Sequence, residues 1–169
     1  MDKVVSNATP LIYLAKANQL SLLQSIVEQV FIPEAVYREV VIEGKRLGEK
    51  DAYCVERAIT QGWMIVQDVK IIYPVEITIH FGEVEVISLA REREIETVLM
   101  DDTKARAASE MAGLRPIGTL WLILKAVKNK LLNFDQFLST LEDIIHSGFY
   151  LKEEVYLKAI RKARELSGD

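Results

Sequence analysis

Cysteine, histidine, glycine and proline are all scarce in this chain of 169 residues, and each shortage closes off a class of structure or chemistry. Cys54 is the sole cysteine, so no intrachain disulfide can form. Its surroundings, Asp51-Ala52-Tyr53-Cys54-Val55-Glu56, read as an amphipathic helix with no base nearby, which favours a buried structural thiol over a nucleophile. His80 and His146 stand far apart and lack the cysteine or carboxylate spacing of a zinc site. His80, next to Phe81, reads as a loop residue or a partly buried ring. No nucleophile elbow, Walker loop or dinucleotide fingerprint occurs. No apolar run approaches the ~20 residues of a membrane span; the longest, 117–127, is interrupted by Gly118, Thr119 and Lys125. The apolar run after Met1-Asp2-Lys3 is broken at Ser6, Asn7 and Pro10, unlike a secretory leader, so a cytoplasmic location is expected. Positive charge is not in surplus either. The net charge is −4, so bulk charge does not call for tight, sequence-independent binding of nucleic acid.

What the chain does have is apolar residues at regular spacing. They make up 50% of it, against 27% charged, which is the balance of a folded globular protein. The length suits one domain, 1–169. Short buried strands are predicted at Val4-Val5-Ser6, Val30-Phe31-Ile32, Trp63-Met64-Ile65-Val66, Thr97-Val98-Leu99-Met100 and Arg115-Pro116-Ile117-Gly118. Pro10 fits the first turn of a helix capped by Thr9, and Pro33 opens another. Further helices are predicted over about 20–27, 50–60, 83–92, 103–112, 120–128, 134–145 and 153–166. Residues 44–48 read as a basic connection, and 68–81, with Pro74 inside, as a loop or edge strand. Trp63 and Trp121 sit in apolar runs and are expected in the core. Strands alternating with helices imply right-handed crossovers and a parallel sheet covered on both faces.

Acidic residues recur where such a sheet would place a site. Ligands bind beyond the carboxyl ends of parallel strands, where the strand order reverses. Asn7 follows the first strand, and Asp101-Asp102 follow the fourth. Glu39 and Glu83 lie on helices that can lean into the same crevice. Clustered carboxylates repel one another unless a cation joins them, and hard cations such as Mg²⁺ or Mn²⁺ prefer oxygen ligands. Each residue also has a plain structural reading. Asp102 can cap the following helix, Asp101 can be a solvated turn residue, and Glu83 suits a helix N-terminus. Glu39 and Glu85 can lie on solvated helix faces. Lys104 and Arg106, on the helix after the acidic pair, are the candidates to hold a phosphate or RNA. The cations of 158–164 read instead as a solvated helix face.

The order of these words adds a resemblance. Val5-Ser6-Asn7-Ala8-Thr9-Pro10-Leu11-Ile12, Ile32-Pro33-Glu34-Ala35-Val36-Tyr37-Arg38-Glu39, Gly82-Glu83-Val84-Glu85, Leu99-Met100-Asp101-Asp102 and Gly118-Thr119-Leu120 are each weak but collectively specific. Over residues 3 to about 130, with a helical extension over about 131–169, the chain resembles the PIN-domain superfamily, in a prokaryotic branch related to the ribonuclease toxins of toxin–antitoxin pairs. The resemblance implies an α/β fold, a three-layer α/β/α sandwich around a five-stranded parallel sheet. It also implies a Mg²⁺- or Mn²⁺-dependent endoribonuclease, RNA as substrate, often a homodimer, and in toxins a small antitoxin partner. By position, the metal ligands would be Asn7, Glu39, Glu83 and Asp102, and the catalytic acids Glu39, Glu83 and Asp102 with Asp101 in support. The chain departs from the pattern at Asn7, where the family has an acid. An amide carbonyl can ligate a hard cation but adds no charge. The next residue, usually small and polar, is Ala8, leaving Thr9 as the candidate for its hydrogen bond. The alternative is therefore a catalytically weakened module that binds RNA or protein.

Overall fold

Every strand is short, and the three central strands bury nearly all of their residues, as a sheet covered on both faces requires. The computed structural model describes Met1 and residues 3–168. Strands β1 (Lys3–Ser6), β2 (Gln29–Pro33), β3 (Met64–Gln67), β4 (Thr97–Leu99) and β5 (Arg115–Ile117) form one sheet in the order β3-β2-β1-β4-β5. All pairings are parallel, with Val5 opposite both Phe31 and Val98. The chain builds outward from β1 to β3, then crosses back to lay β4 on the other side of β1. The strand order therefore reverses between β1 and β4.

Helices α1 (Ala8–Lys16), α2 (Leu20–Ile26), α5 (Asp51–Thr60) and α8 (Thr119–Lys128) pack together over one face. On the other, α6 (Phe81–Glu92) lies across β1, β2 and β4, and α7 (Thr103–Met111) packs on β5. This is the expected three-layer α/β/α arrangement. α9 (Phe134–His146) and α10 (Glu153–Ser167) pack on α8, and α9 also reaches α1, burying Phe137, Leu141, Ile144, Ala159 and Ala163 in the common core. Among the described residues, no helix is long and apolar enough to cross a membrane.

Local departures from the expected elements have identifiable causes. α1 begins at Ala8, one residue after β1, so Asn7 rather than Thr9 occupies the N-cap position. Pro10 then falls within the first turn, where its missing N–H costs no intrahelical bond. α6 begins at Phe81 instead of after Gly82, because the Glu83 carboxylate reaches back to accept from the His80 N–H at 3.0 Å. The expected basic connection after residue 43 is helical. Helix α3 (Glu34–Tyr37) continues as a π-helical stretch, Arg38–Glu43, and ends as the α-turn α4 (Gly44–Arg46). Gly44 serves close packing here, since a Cβ on it would lie 2.9 Å from the Ala52 Cβ. The turn-making glycine is Gly48, at φ +77°. The tryptophans are not core residues: Trp121 is 36% exposed because the buried face of α8 is Leu122, Ile123, Ala126 and Val127, and Trp63 is half-buried. Cys54 is half-buried rather than buried.

The Gly44–Ala52 contact is testable. Gly44→Ala should lower unfolding stability in urea by about 1–3 kcal/mol, because neither backbone nor Cβ at Ala52 can yield. An unchanged midpoint and slope would mean that α4 and α5 are free to separate.

Candidate active site

The strand reversal brings the ends of β1 and β4 side by side. The ladder continues past the assigned strands: the Asn7 N–H donates to Leu99 C=O at 2.9 Å, and the Met100 N–H to Ile117 C=O at 2.8 Å. Asn7 and the Asp101-Asp102 pair thus leave the same edge of the sheet. Asn7 is 6% exposed, and its side chain does not cap α1, although it occupies the N-cap position. The Ser6 hydroxyl, fully buried, donates to Asn7 C=O at 2.9 Å and helps fix this strand-to-helix corner.

Beside that edge lies a groove of about 490 Å³. It is lined by Thr78, Ile79, His80 and Glu83, from the start of α6 and the segment before it, and by Asp102, Thr103 and Lys104, from the start of α7. Two of the four positions assigned to metal by resemblance, Glu83 and Asp102, therefore face one groove. Each carboxylate has one oxygen engaged in the fold. Glu83 Oε2 accepts from the His80 N–H, and Asp102 Oδ1 accepts from the Ala105 N–H at 2.9 Å as the cap of α7. The capping reading of Asp102 and its place in the groove hold together, because a carboxylate has a second oxygen to offer.

Glu83 holds its proton more tightly than an ordinary glutamate. Burial is the main cause, at 6% exposure, and the nearby Asp102 and Glu39 carboxylates add to it. The bond from the His80 N–H and the charge of His80 oppose the shift. Glu39 is exposed, at the second residue of the π-helical stretch, yet close enough to Glu83 to act on it through space. Glu85, expected on a solvated face, instead ties α6 to α3, the helix that runs into this stretch. Its Oε2 accepts from the Ala35 N–H at 3.0 Å and caps α3 from α6.

Asp101 and Arg106 point elsewhere. Asp101 Oδ1 accepts from the Thr119 N–H at 2.8 Å, and its Oδ2 from the Thr119 hydroxyl at 2.6 Å. Both oxygens are thus spent fastening β4 to the start of α8. Burial raises the Asp101 pKa against the pull of these bonds and of Arg106. Arg106 Nη1 donates to Met100 C=O at 3.1 Å. Lys104 alone of the two candidate phosphate contacts lines the groove, exposed and without an ion pair among the described residues. His80 and Thr119 were the residues missed. Gly118-Thr119 was visible as a motif, but its partner Asp101 lies eighteen residues away.

As a cation site the groove offers the right donor type, oxygen, in small number. Among the described residues no three His, Cys, Asp or Glu side chains converge closely enough to hold a metal ion. Glu83 and Asp102 share the groove, Glu39 stands off, and Asn7 is beside the groove instead of on its lining.

The fold and the site's position meet in one assignment: a family model described as a PIN domain matches residues 3–165, and the chain belongs to the PIN-domain family. The family has a nuclease-type fold. No curated protein and no solved structure compared with the chain gives a significant match.

Two outcomes follow from this geometry. A Cβ on Gly118 would lie 2.7 Å from Asp101 Oδ1, so Gly118→Ala should cost about 1–3 kcal/mol. In an Asp101→Ala background the same change should cost clearly less, a coupling that a double-mutant cycle reads directly; strict additivity would mean the two do not meet. Glu83 supplies the second. Its folded-state pKa is raised from 4.5, so its contribution to stability is full below that pH and is lost as pH rises through the folded-state value. Glu83→Gln keeps an acceptor for the His80 N–H without the charge. In EDTA, it should gain stability relative to the native chain as pH is raised from about 4 to about 8. A flat or shrinking difference would show that Glu83 carries no ionisation penalty.

Proposed function

We propose that the chain is a divalent-cation-dependent ribonuclease of weakened metal affinity. The observation that carries this reading is the pairing of the buried Glu83 with Asp102 across one groove, at the reversal of strand order, with each acid keeping one oxygen clear of the fold's own hydrogen bonds. On this reading Glu83 and Asp102 hold Mg²⁺ or Mn²⁺, Glu39 contributes from the π-helical stretch, and Asn7 supplies a neutral carbonyl from the end of β1. The cation, when bound, would activate water and offset charge on a phosphodiester. The chain's own residues do the rest. The His80 N–H and the first turn of α7 fix the orientation of the two acids, and Lys104, which makes no ion pair among the described residues, presents its ammonium to a phosphate. Asp101 acts as a strut through Thr119, and Arg106 braces the end of β4. The toxin assignment, with a small antitoxin as its restraint and a homodimer as its assembled form, belongs to the same proposal.

A second reading has its own support. The absence of a three-acid cluster among the described residues, together with the neutral Asn7, favours a module that binds RNA and cleaves it poorly or not at all.

Mn²⁺-dependent cleavage of mixed single-stranded and structured RNA separates the two readings, with the native chain run beside Asp102→Asn and Asn7→Asp. Asparagine caps helices as well as aspartate does, so Asp102→Asn should fold normally. On the first reading it should lose about a hundredfold or more in rate. Asn7→Asp should bind Mn²⁺ at least about tenfold more tightly, because it adds charge to the site. Cleavage undiminished in Asp102→Asn would overturn the nuclease reading. Cleavage by Asn7→Asp alone would establish the second.

A further inference from the structure

A second groove, of about 580 Å³, shares no lining residue with the one at Glu83 and Asp102. Three helix ends meet there: the last turn of α1 with Ala15 and Lys16, the first turn of α5 with Asp51 and Cys54, and Ser147, which follows α9. Asn18 and the Gly48-Glu49-Lys50 segment complete the lining. Asp51 and Cys54 stand three residues apart on α5 and so share one face of the helix. Asp51 is 7% exposed and makes no ion pair among the described residues. Burial is the main reason that it holds its proton more tightly than an ordinary aspartate, against the pull of its own N–H and of Lys16, with Glu49 adding to the shift. Lys16 is itself paired with Glu49, at 3.5 Å. A carboxylate buried without a counter-ion of its own is completed by a cation from outside. Lys50, next to it in sequence, is exposed and also without an ion pair among the described residues. Cys54 is half-buried, so its sulfur is open to the groove that it lines.

We infer that Cys54 is a site of reversible mixed-disulfide formation with a small amino-acid disulfide, whose ammonium sits on Asp51 and whose carboxylate pairs with Lys50. A sulfur-bearing α-amino acid carries the complement of all three groups close to one carbon atom: an ammonium, a carboxylate and a sulfur. A groove of about 580 Å³ has room for one such half-disulfide. The step balances without a further oxidant. The Cys54 thiolate attacks one sulfur of the small disulfide, and a new S–S bond forms as the old one breaks. The other half departs as a thiolate and takes up the proton that Cys54 lost. Cys54 is oxidised, the small disulfide is reduced, and an added dithiol reverses the change. Selection comes from the charges around the thiol, so it acts on the groups that the disulfide carries. None of this depends on the nuclease reading, because the two grooves have no residue in common.

The experiment follows adduct formation on the reduced full chain by intact-protein mass, in EDTA. The probes are cystine, its dimethyl ester, which lacks the free carboxylates, and the neutral disulfide of 2-mercaptoethanol. Each rate is divided by that of the same probe with a short unstructured cysteine peptide, which removes differences in intrinsic reactivity. Cystine should then react with the native chain about tenfold faster than the neutral disulfide, the scale of one charge-assisted hydrogen bond. Dithiothreitol should remove the adduct, and Cys54→Ser should form none. Asp51→Asn should bring cystine down to the rate of the neutral disulfide. Lys50→Ala changes an exposed side chain and keeps the test open if Asp51→Asn fails to fold: it should erase the native preference for cystine over its ester. Equal corrected rates for cystine and the neutral disulfide, or no adduct at all, would overturn the inference. So would a preference for cystine that survives in a folded Asp51→Asn chain, or a preference over the ester that survives in Lys50→Ala.

Discussion

The hydrogen bond from the Asn7 N–H to Leu99 C=O is the contact on which the geometry of this site depends. It joins the first strand to the fourth, two segments separated by more than half the chain, at the edge where strand order reverses. Without that pairing, Asn7 and Asp102 would leave different parts of the sheet. Everything that fixes the pairing therefore also fixes the site. The covered faces demand apolar strands, and the crossover through α6 demands that β4 land beside β1. The Asp101–Thr119 clasp then locks β5 and α8 against the end of β4.

That clasp shows how the chain divides work between adjacent acids. Asp101 and Asp102 are neighbours in sequence, and successive residues leaving a strand point in different directions. One turns back into the fold and spends both oxygens on Thr119. The other opens a helix and spends one. A carboxylate with a single structural bond is held in orientation yet retains a free acceptor, which is the condition for a residue that both folds and binds. Glu83 meets the same condition through the His80 N–H, and its raised pKa records chiefly the cost of burying it, with two neighbouring acids adding to that cost.

The sheet was legible in the sequence because buried parallel strands must be short apolar runs. Val4-Val5, Val30-Phe31-Ile32, Ile65-Val66 and Val98-Leu99 announce themselves by composition. Strand order was not legible in the same way: alternation of strands and helices implies a parallel sheet, but the meeting of Asn7 and the acidic pair required β1 and β4 to be neighbours, as they are in the structure. Contacts that join distant segments through polar atoms left no periodic trace. Glu85 looks like any solvated glutamate until Ala35 is placed beneath it, and Asp101 looks like a turn residue until Thr119 is placed beside it. The π-helical stretch was hidden for another reason. Gly44 reads locally as a break, but its missing Cβ is used for close approach to Ala52, so the helix runs through it. Trp121 lies in an apolar run along the chain, yet around the helix it falls outside the buried face of Leu122, Ile123, Ala126 and Val127.

The neutral residue at the end of β1 has a consequence for the stability of the fold. Glu83 already ionises reluctantly, because burial strips its water and Asp102 and Glu39 crowd it. A carboxylate at position 7, itself almost fully buried, would bring a further negative charge to the same sheet edge, at a cost in desolvation. An amide there keeps the volume and the carbonyl while avoiding that repulsion. On the proposed reading, metal affinity and the stability of the fold thus pull in opposite directions at this one position, and asparagine favours the fold.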